Sequence, residues 1–143
     1  MKIKIKKESI ERDITIEKAR AEDIKWVQDT IKRQGWIYDD IHHVFIAKID
    51  GKPVGMARAE FFRKKKLATL AGVFVEPELR GLGIGHILVK KIIDAFPDIL
   101  EWHLAGHSWI ESYYSKIGFK KTQVVIPELK REFKEQIFMV LRK

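Results

Sequence analysis

Alternation of apolar and polar residues in DITIEKAR (13–20) predicts a strand. From Ala21 to Gln34, Ile24, Val27, Gln28 and Ile31 recur at helical spacing, and Gly35 follows as a stop signal. VFIAKID (44–50) and VGMARAEFF (54–62) read as a hairpin joined at Asp50-Gly51. Arg63 to Lys66 form the next turn, and LATLAGVFV (67–75) is the most apolar of the strands. A helix is predicted over 84–96, with Ile84, Ile87, Leu88, Ile92 and Ala95 on one face and Pro97 at its end. DILEWHLAG (98–106) reads as a strand. Ser108 and Glu111 have the spacing of a capping box, which predicts a helix from there to Ile117, closed by Gly118. FKKTQVV (119–125) and EQIFMVLR (135–142) complete the strands, with PELKREFK (127–134) as loop or short helix between them. The order is β-α-β-β-β-α-β-α-β-β, an α+β protein with a mixed sheet rather than a purely parallel one.

Composition narrows the chemistry. The chain has 143 residues, enough for one domain with a sizeable core, and no linker or repeat divides it, so residues 1–143 are expected to form a single domain. There is no Cys, which excludes disulfides, thiolate nucleophiles and Cys-ligated zinc. No metal is expected. The N-terminus, MKIKIKKESIERD, lacks the continuous apolar core of a secretory signal, and no apolar run reaches the length of a membrane span. No membrane association is expected, and the cytoplasm is the expected compartment. The chain contains no Asn and is rich in Lys, Glu and Ile, a bias seen in heat-adapted proteins. A net charge of +8 favours anionic ligands without naming one. The alternating Lys-Ile start could add an edge strand or pair with a second chain, which leaves monomer and homodimer both open.

The stretch VEPELRGLGIGHILVKK (75–91) sets three glycines, two apart, between a strand and a helix. The dinucleotide fingerprint fails because His86 stands where its third glycine belongs, and the P-loop fails because no Gly-Lys-Ser/Thr follows. A tight turn into a helix N-terminus is still an anion site, because the first-turn N–H groups and the helix dipole favour negative charge. A plain tight turn would need the same glycines.

The wider pattern resembles the GNAT (Gcn5-related) N-acetyltransferase superfamily. Arg80, Gly83 and Gly85 match its R/Q-x-x-G-x-G/A motif, preceded here by a strand and Pro77. Tyr114-Ser115-Lys116-Ile117-Gly118-Phe119 is similar to its Y-x-K-x-G-F. The element order matches too, over nearly the whole chain beyond the first dozen residues. The resemblance implies a central, mostly antiparallel mixed sheet of about six to seven strands with flanking helices, splayed where acetyl-CoA binds. It implies acetyl-CoA as cosubstrate and an amine as acceptor. The backbone amides of Gly81, Leu82, Gly83, Ile84, Gly85 and His86, with Arg80, would hold the pyrophosphate. Val73, Phe74 and Val75 would pair with the pantetheine arm like an added strand, and an N–H near Phe74 would polarise the thioester carbonyl.

With no Cys to carry an acetyl group, direct transfer is expected. Tyr114 is then the candidate general acid for the departing thiolate. Glu60, His103 and His107 are the candidate general bases, with Glu101 and Glu111 as further options. His107 also stands where many family members have an Asn that contacts the cofactor. Ribosomal-protein acetylators of the family carry a Glu where this chain has Trp102. That departure suggests an apolar acceptor pocket, with Trp26, Trp36, Tyr38 and Phe62 as candidate lining. Two other readings share these features. One is a CoA-binding module without catalysis; the other is a basic nucleic-acid binder using Lys64, Lys65, Lys66, Lys90 and Lys91, which lacks the aromatic-interleaved signature of an RNA-binding sheet and is disfavoured.

Overall fold

Asp50 and Gly51 both have positive φ, 52° and 76°, the backbone of a tight two-residue hairpin turn. They join β3 (His43–Ile49) to β4 (Lys52–Phe62), as the Asp-Gly pair predicts. The computed structural model describes residues 2–7, 10–36, 43–129 and 136–143. Before the hairpin come β1 (Lys2–Lys7), β2 (Ile10–Lys18) and helix α1 (Ile24–Arg33), the last entered through a 3-10 turn at Ala21–Asp23. After it come β5 (Leu67–Val75), helix α2 (Ile84–Ala95), β6 (Glu101–Gly106), helix α3 (Ile110–Ser115), β7 (Lys120–Lys121) and β8 (Ile137–Arg142). The seven strands expected from the pattern are all present, and Lys2–Lys7 adds another.

The chain divides into two compact units, Met1–Arg58 with Gly72–Ile92, and Ala59–Ala71 with Ile93–Lys143. Strands β4 and β5 contribute to both.

In the first unit the strand order is β1-β2-β3-β4-β5. β1 pairs antiparallel with β2, and β2 with β3, where Thr15 faces Lys48 and Glu17 faces Ile46. Helix α1 turns Val27 and Ile31 onto this sheet, where they meet Val44, Ile46, Met56 and Phe74. Its other face is exposed, as an amphipathic stripe requires. Gln28, which the periodicity placed with the apolar residues, is exposed.

The start of α1 is tied to the sheet by charge. Lys48 is buried on β3, and its Nζ lies 3.0 Å from Glu17, 3.0 Å from Asp23 and 3.3 Å from Glu22. Asp23 also accepts a 2.8 Å bond from the Arg20 backbone N–H. Burial works against the charge on Lys48, but bonds to Asp23, Glu17 and Glu22 outweigh it and hold its pKa above the ordinary lysine range.

In the second unit the order is β4-β5-β6-β8-β7. β6 runs parallel to β5 and antiparallel to β8, so the sheet is mixed. The β5–β6 register covers only three pairs, Leu67↔Glu101, Ala68↔Trp102 and Thr69↔His103. Pairing ends at that rung, while β6 continues to Gly106, paired to Ile137 of β8. Trp102 is fully buried, edge-on to Phe61 at 5.7 Å, and Phe61 tilts against Phe96 at 4.4 Å. That aromatic cluster places Trp102 in the core of the second unit.

Two expectations for this unit change. The Ser108–Glu111 capping box does not form. The His107 carbonyl accepts the Ile110 N–H at 3.1 Å, which puts Ser108 inside a turn, and Trp109 occupies the N-cap with no side-chain cap. The strand expected over 119–125 is cut to Lys120–Lys121. Thr122 N–H still reaches the Phe138 carbonyl at 2.9 Å, but its Oγ1 then accepts the Val124 N–H at 3.1 Å and bends the chain out of the sheet.

Candidate active site

The first unit carries the whole glycine loop. β5 ends at Val75, a 3-10 turn over Pro77–Leu79 reverses the chain, and α2 begins at Ile84. Gly81 and Gly83 both have φ +85°, and no atom lies within 4 Å of where a Cβ would stand on either. The left-handed backbone, not crowding by the protein, is therefore what demands glycine here. The Gly83 carbonyl accepts the first helical bond, from Ile87 N–H at 3.1 Å. By helix geometry the N–H groups of Ile84 and Gly85, at the first turn of α2, point out of its N-terminus. Loop and helix together have the backbone geometry that suits an anion.

Strand direction decides which backbone groups the end of β5 can offer. Glu76 N–H donates to the Val54 carbonyl at 2.8 Å, so Glu76 faces β4. By alternation Phe74 also faces β4. Its carbonyl lies 3.1 Å from where a Gly55 Cβ would stand. The N–H and C=O groups of Val73 and Val75 point to the edge away from β4. Of the three residues expected to pair with a pantetheine arm, Val73 and Val75 can offer that edge. By the same alternation, an N–H that polarised a thioester on that edge would belong to a neighbour of Phe74 rather than to Phe74 itself.

The Phe74 side chain is buried and surrounded by cations. Trp26 tilts against it at 6.3 Å, and the guanidinium groups of Arg33 and Arg80 each stand 5.7 Å from its centroid. Arg33 also pairs with Glu76 at 3.6 Å. Nearby, a Cβ on Gly72 would meet the Trp36 ring at 2.9 Å, and the buried Arg58 stacks on that same ring at 5.2 Å. Trp26 and Trp36, both partly buried, thus pack against the first unit's core. Neither the Arg33–Phe74–Arg80 group nor the Arg58–Trp36 stack was visible in the sequence. Tyr38, expected to line the acceptor side, lies outside the described residues.

The second unit carries the candidate proton-transfer groups. Tyr114 is buried on α3, edge-on to Tyr113 at 4.9 Å and to Phe119 at 5.6 Å. Burial, with Tyr113 beside it, pushes its phenol well above the ordinary tyrosine range, so it keeps its proton at any working pH. Glu60 is half-buried near the end of β4, and His107 is exposed just beyond β6. Glu101 is taken by Arg142 at 2.8 Å, and Glu111 is exposed 4.0 Å from Lys121. His103 is buried, its Nε2 has no hydrogen-bond partner among the described residues, and Glu101 lies 3.9 Å away. Burial lowers its pKa, Glu101 opposes that and Arg142 adds to it, so the imidazole is held toward its neutral form. In the turn after β4, Arg63 pairs with Asp98 at 2.9 Å and Lys65 with Glu128. Among the described residues, no group of His, Asp and Glu side chains could hold a metal ion, and no helix is long and apolar enough to cross a membrane.

With loop, strand edge and buried tyrosine in place, the comparison with known proteins is direct. Residues 8–119 match the model of the acetyltransferase (GNAT) family, and the chain belongs to that family. An uncharacterized N-acetyltransferase of Methanocaldococcus jannaschii is 30% identical over 91 residues, which cover 57% of this chain and 40% of that one. The chain thus spans well under two thirds of that relative's length. Among solved structures, N-acetylglutamate synthase of Neisseria gonorrhoeae, crystallised with coenzyme A and N-acetyl-glutamate, superposes with a TM-score of 0.71 at 18% identity, over 90% of this chain and 35% of that one. The ribosomal-protein-S18-alanine N-acetyltransferase of Escherichia coli gives 0.68 at 17% identity, over 90% and 93%. At these identities the likeness is one of fold.

Proposed function

We propose that this chain is an acetyl-CoA-dependent N-acetyltransferase that passes the acetyl group directly to a primary amine of a small molecule or protein. The observation that carries the reading is the loop of a GNAT-family chain in which Gly81 and Gly83 hold left-handed backbone and feed the first turn of α2. A pyrophosphate there would accept the amides of Gly81 to His86 and face the charge of Arg80. Val73 and Val75 would take the pantetheine arm on the edge away from β4. The neighbouring N-acetylglutamate synthase carries coenzyme A in its crystal, which supports the same ligand class.

Direct transfer needs two proton movements. The amine nitrogen attacks the thioester carbon, the C–N bond forms and the C–S bond breaks. The ammonium proton must go to a base, for which Glu60 and His107 remain the candidates. The departing thiolate takes a proton or a strong hydrogen bond from Tyr114. Burial keeps the Tyr114 phenol protonated, which suits it to stabilise the thiolate as a hydrogen-bond donor.

Calorimetric titration with acetyl-CoA, followed by a mass-spectrometric screen of amine acceptors, tests the reading. Binding with transfer to at least one amine is expected. Binding without transfer to any amine would favour a non-catalytic CoA-binding module, and no binding would overturn the reading altogether. For Tyr114→Phe, single-turnover acetylation of a poor amine should slow by about 100-fold while acetyl-CoA affinity stays close to wild type. An unchanged rate would remove Tyr114 from the proton transfer.

A further inference from the structure

Arg80 stands on a group that the cofactor needs. Its Nε donates to the Val75 carbonyl at 2.9 Å, one of the groups that the alternation of β5 turns to the edge away from β4. Among the described residues Arg80 pairs with no carboxylate, whereas Arg33, the other cation on Phe74, is balanced by Glu76. An exposed, uncompensated guanidinium is thus parked on a neutral carbonyl, one residue before the glycine loop.

We propose that Arg80 is an exchangeable cap: it covers the Val75 carbonyl when the site is empty and leaves it for the pyrophosphate when cofactor arrives. The inference rests on the acetyl-CoA reading above. A charge-assisted bond to phosphate is stronger than one to a neutral carbonyl, so an arriving anion draws Arg80 away. The freed carbonyl then accepts an amide N–H of the pantetheine arm, which competes for the same oxygen. Phosphate binding and pantetheine binding are thereby coupled, and by linkage each strengthens the other. A thiol bearing a pantetheine arm but no phosphate would meet a capped edge, so the cap also selects for the full cofactor.

The test uses the whole chain with two probes, pantetheine and inorganic pyrophosphate, followed by NMR titration. In the wild type, saturating pyrophosphate should tighten pantetheine binding about 3- to 10-fold, the range of one net hydrogen bond. Arg80→Ala should bind pantetheine alone more tightly than the wild type by a similar factor, with no response to pyrophosphate. Arg80→Gln, which keeps a donor but loses the charge, should also lose the response. Absence of coupling in the wild type, or coupling retained in Arg80→Ala, would overturn the exchange. A parallel acetyl-CoA titration separates the two claims. If the wild type binds acetyl-CoA and the fragments do not couple, the cap alone fails. If it does not bind acetyl-CoA, the functional reading fails with it.

Discussion

Gly83→Glu should lose acetyl-CoA binding by at least about 1,000-fold. A carboxylate placed about 4 Å from a phosphate charge near the protein surface costs on the order of 4 kcal/mol, and the amides of the first turn would face that carboxylate instead of the ligand. Gly83 also has φ +85°, so any side chain there is strained by about 1 kcal/mol. Gly83→Asn separates the two effects, because Asn tolerates left-handed backbone and carries no charge. It should bind acetyl-CoA within about tenfold of wild type, since that strain alone is worth no more. Isothermal titration of the three proteins checks this, with circular dichroism confirming that each is folded. Wild-type affinity in Gly83→Glu would remove the pyrophosphate from this loop.

Lys48→Met should destabilise the fold by about 3 to 5 kcal/mol, the usual cost of removing one partner from a buried ion pair. Met keeps the volume, so the loss comes from Asp23, which is 3% exposed and would lack its cation. Glu22→Gln should cost under about 1 kcal/mol, because that side chain is 68% exposed and its pairing is screened. Denaturant midpoints measure both, and a loss below 1 kcal/mol in Lys48→Met would show that the cluster does not anchor α1. The pH dependence has a definite sign. A lysine whose folded pKa lies above its unfolded value of 10.5 contributes stability that is fully present below that pH. The contribution is lost as pH rises beyond 10.5 toward the folded pKa. Tyr113 and Tyr114, both raised by burial, lose stability in the same direction. The lysine's part is therefore the wild-type-minus-variant difference, which should be flat to about pH 10 and shrink above it.

Local patterning made much of this fold legible. Leu67–Val75 matches its predicted bounds because it is a mostly apolar run closed by Pro77. The Asp50-Gly51 turn is local chemistry of two residues. The glycine loop was readable for the same reason, since left-handed backbone leaves its mark in residue type. What sequence could not show is pairing across distance. Lys48 sits in a strand as an ordinary surface lysine would, and its carboxylates come from residues 17, 22 and 23, carried there by the fold. Gly72 carries no turn signal, and only the Trp36 ring packed against it explains the missing side chain. Ser108 and Glu111 had the spacing of a cap, but the turn closed by the His107 carbonyl took precedence. Arg80 was expected to face the pyrophosphate, yet its resting place on the Val75 carbonyl depends on how the 3-10 turn reverses the chain. The alternation that points Phe74 toward β4 likewise needed one observed bond, from Glu76 to Val54.

The measurement that bears most directly on the central claim is an amide-resolved NMR titration of the isotope-labelled chain with acetyl-CoA. The account predicts that the largest shifts fall on the amides of Gly81 to His86 and on those of Val73 and Val75, with the Phe74 amide moving less than either neighbour. Shifts concentrated elsewhere, on the basic turn at residues 63–66 for example, with the loop amides unmoved, would contradict it.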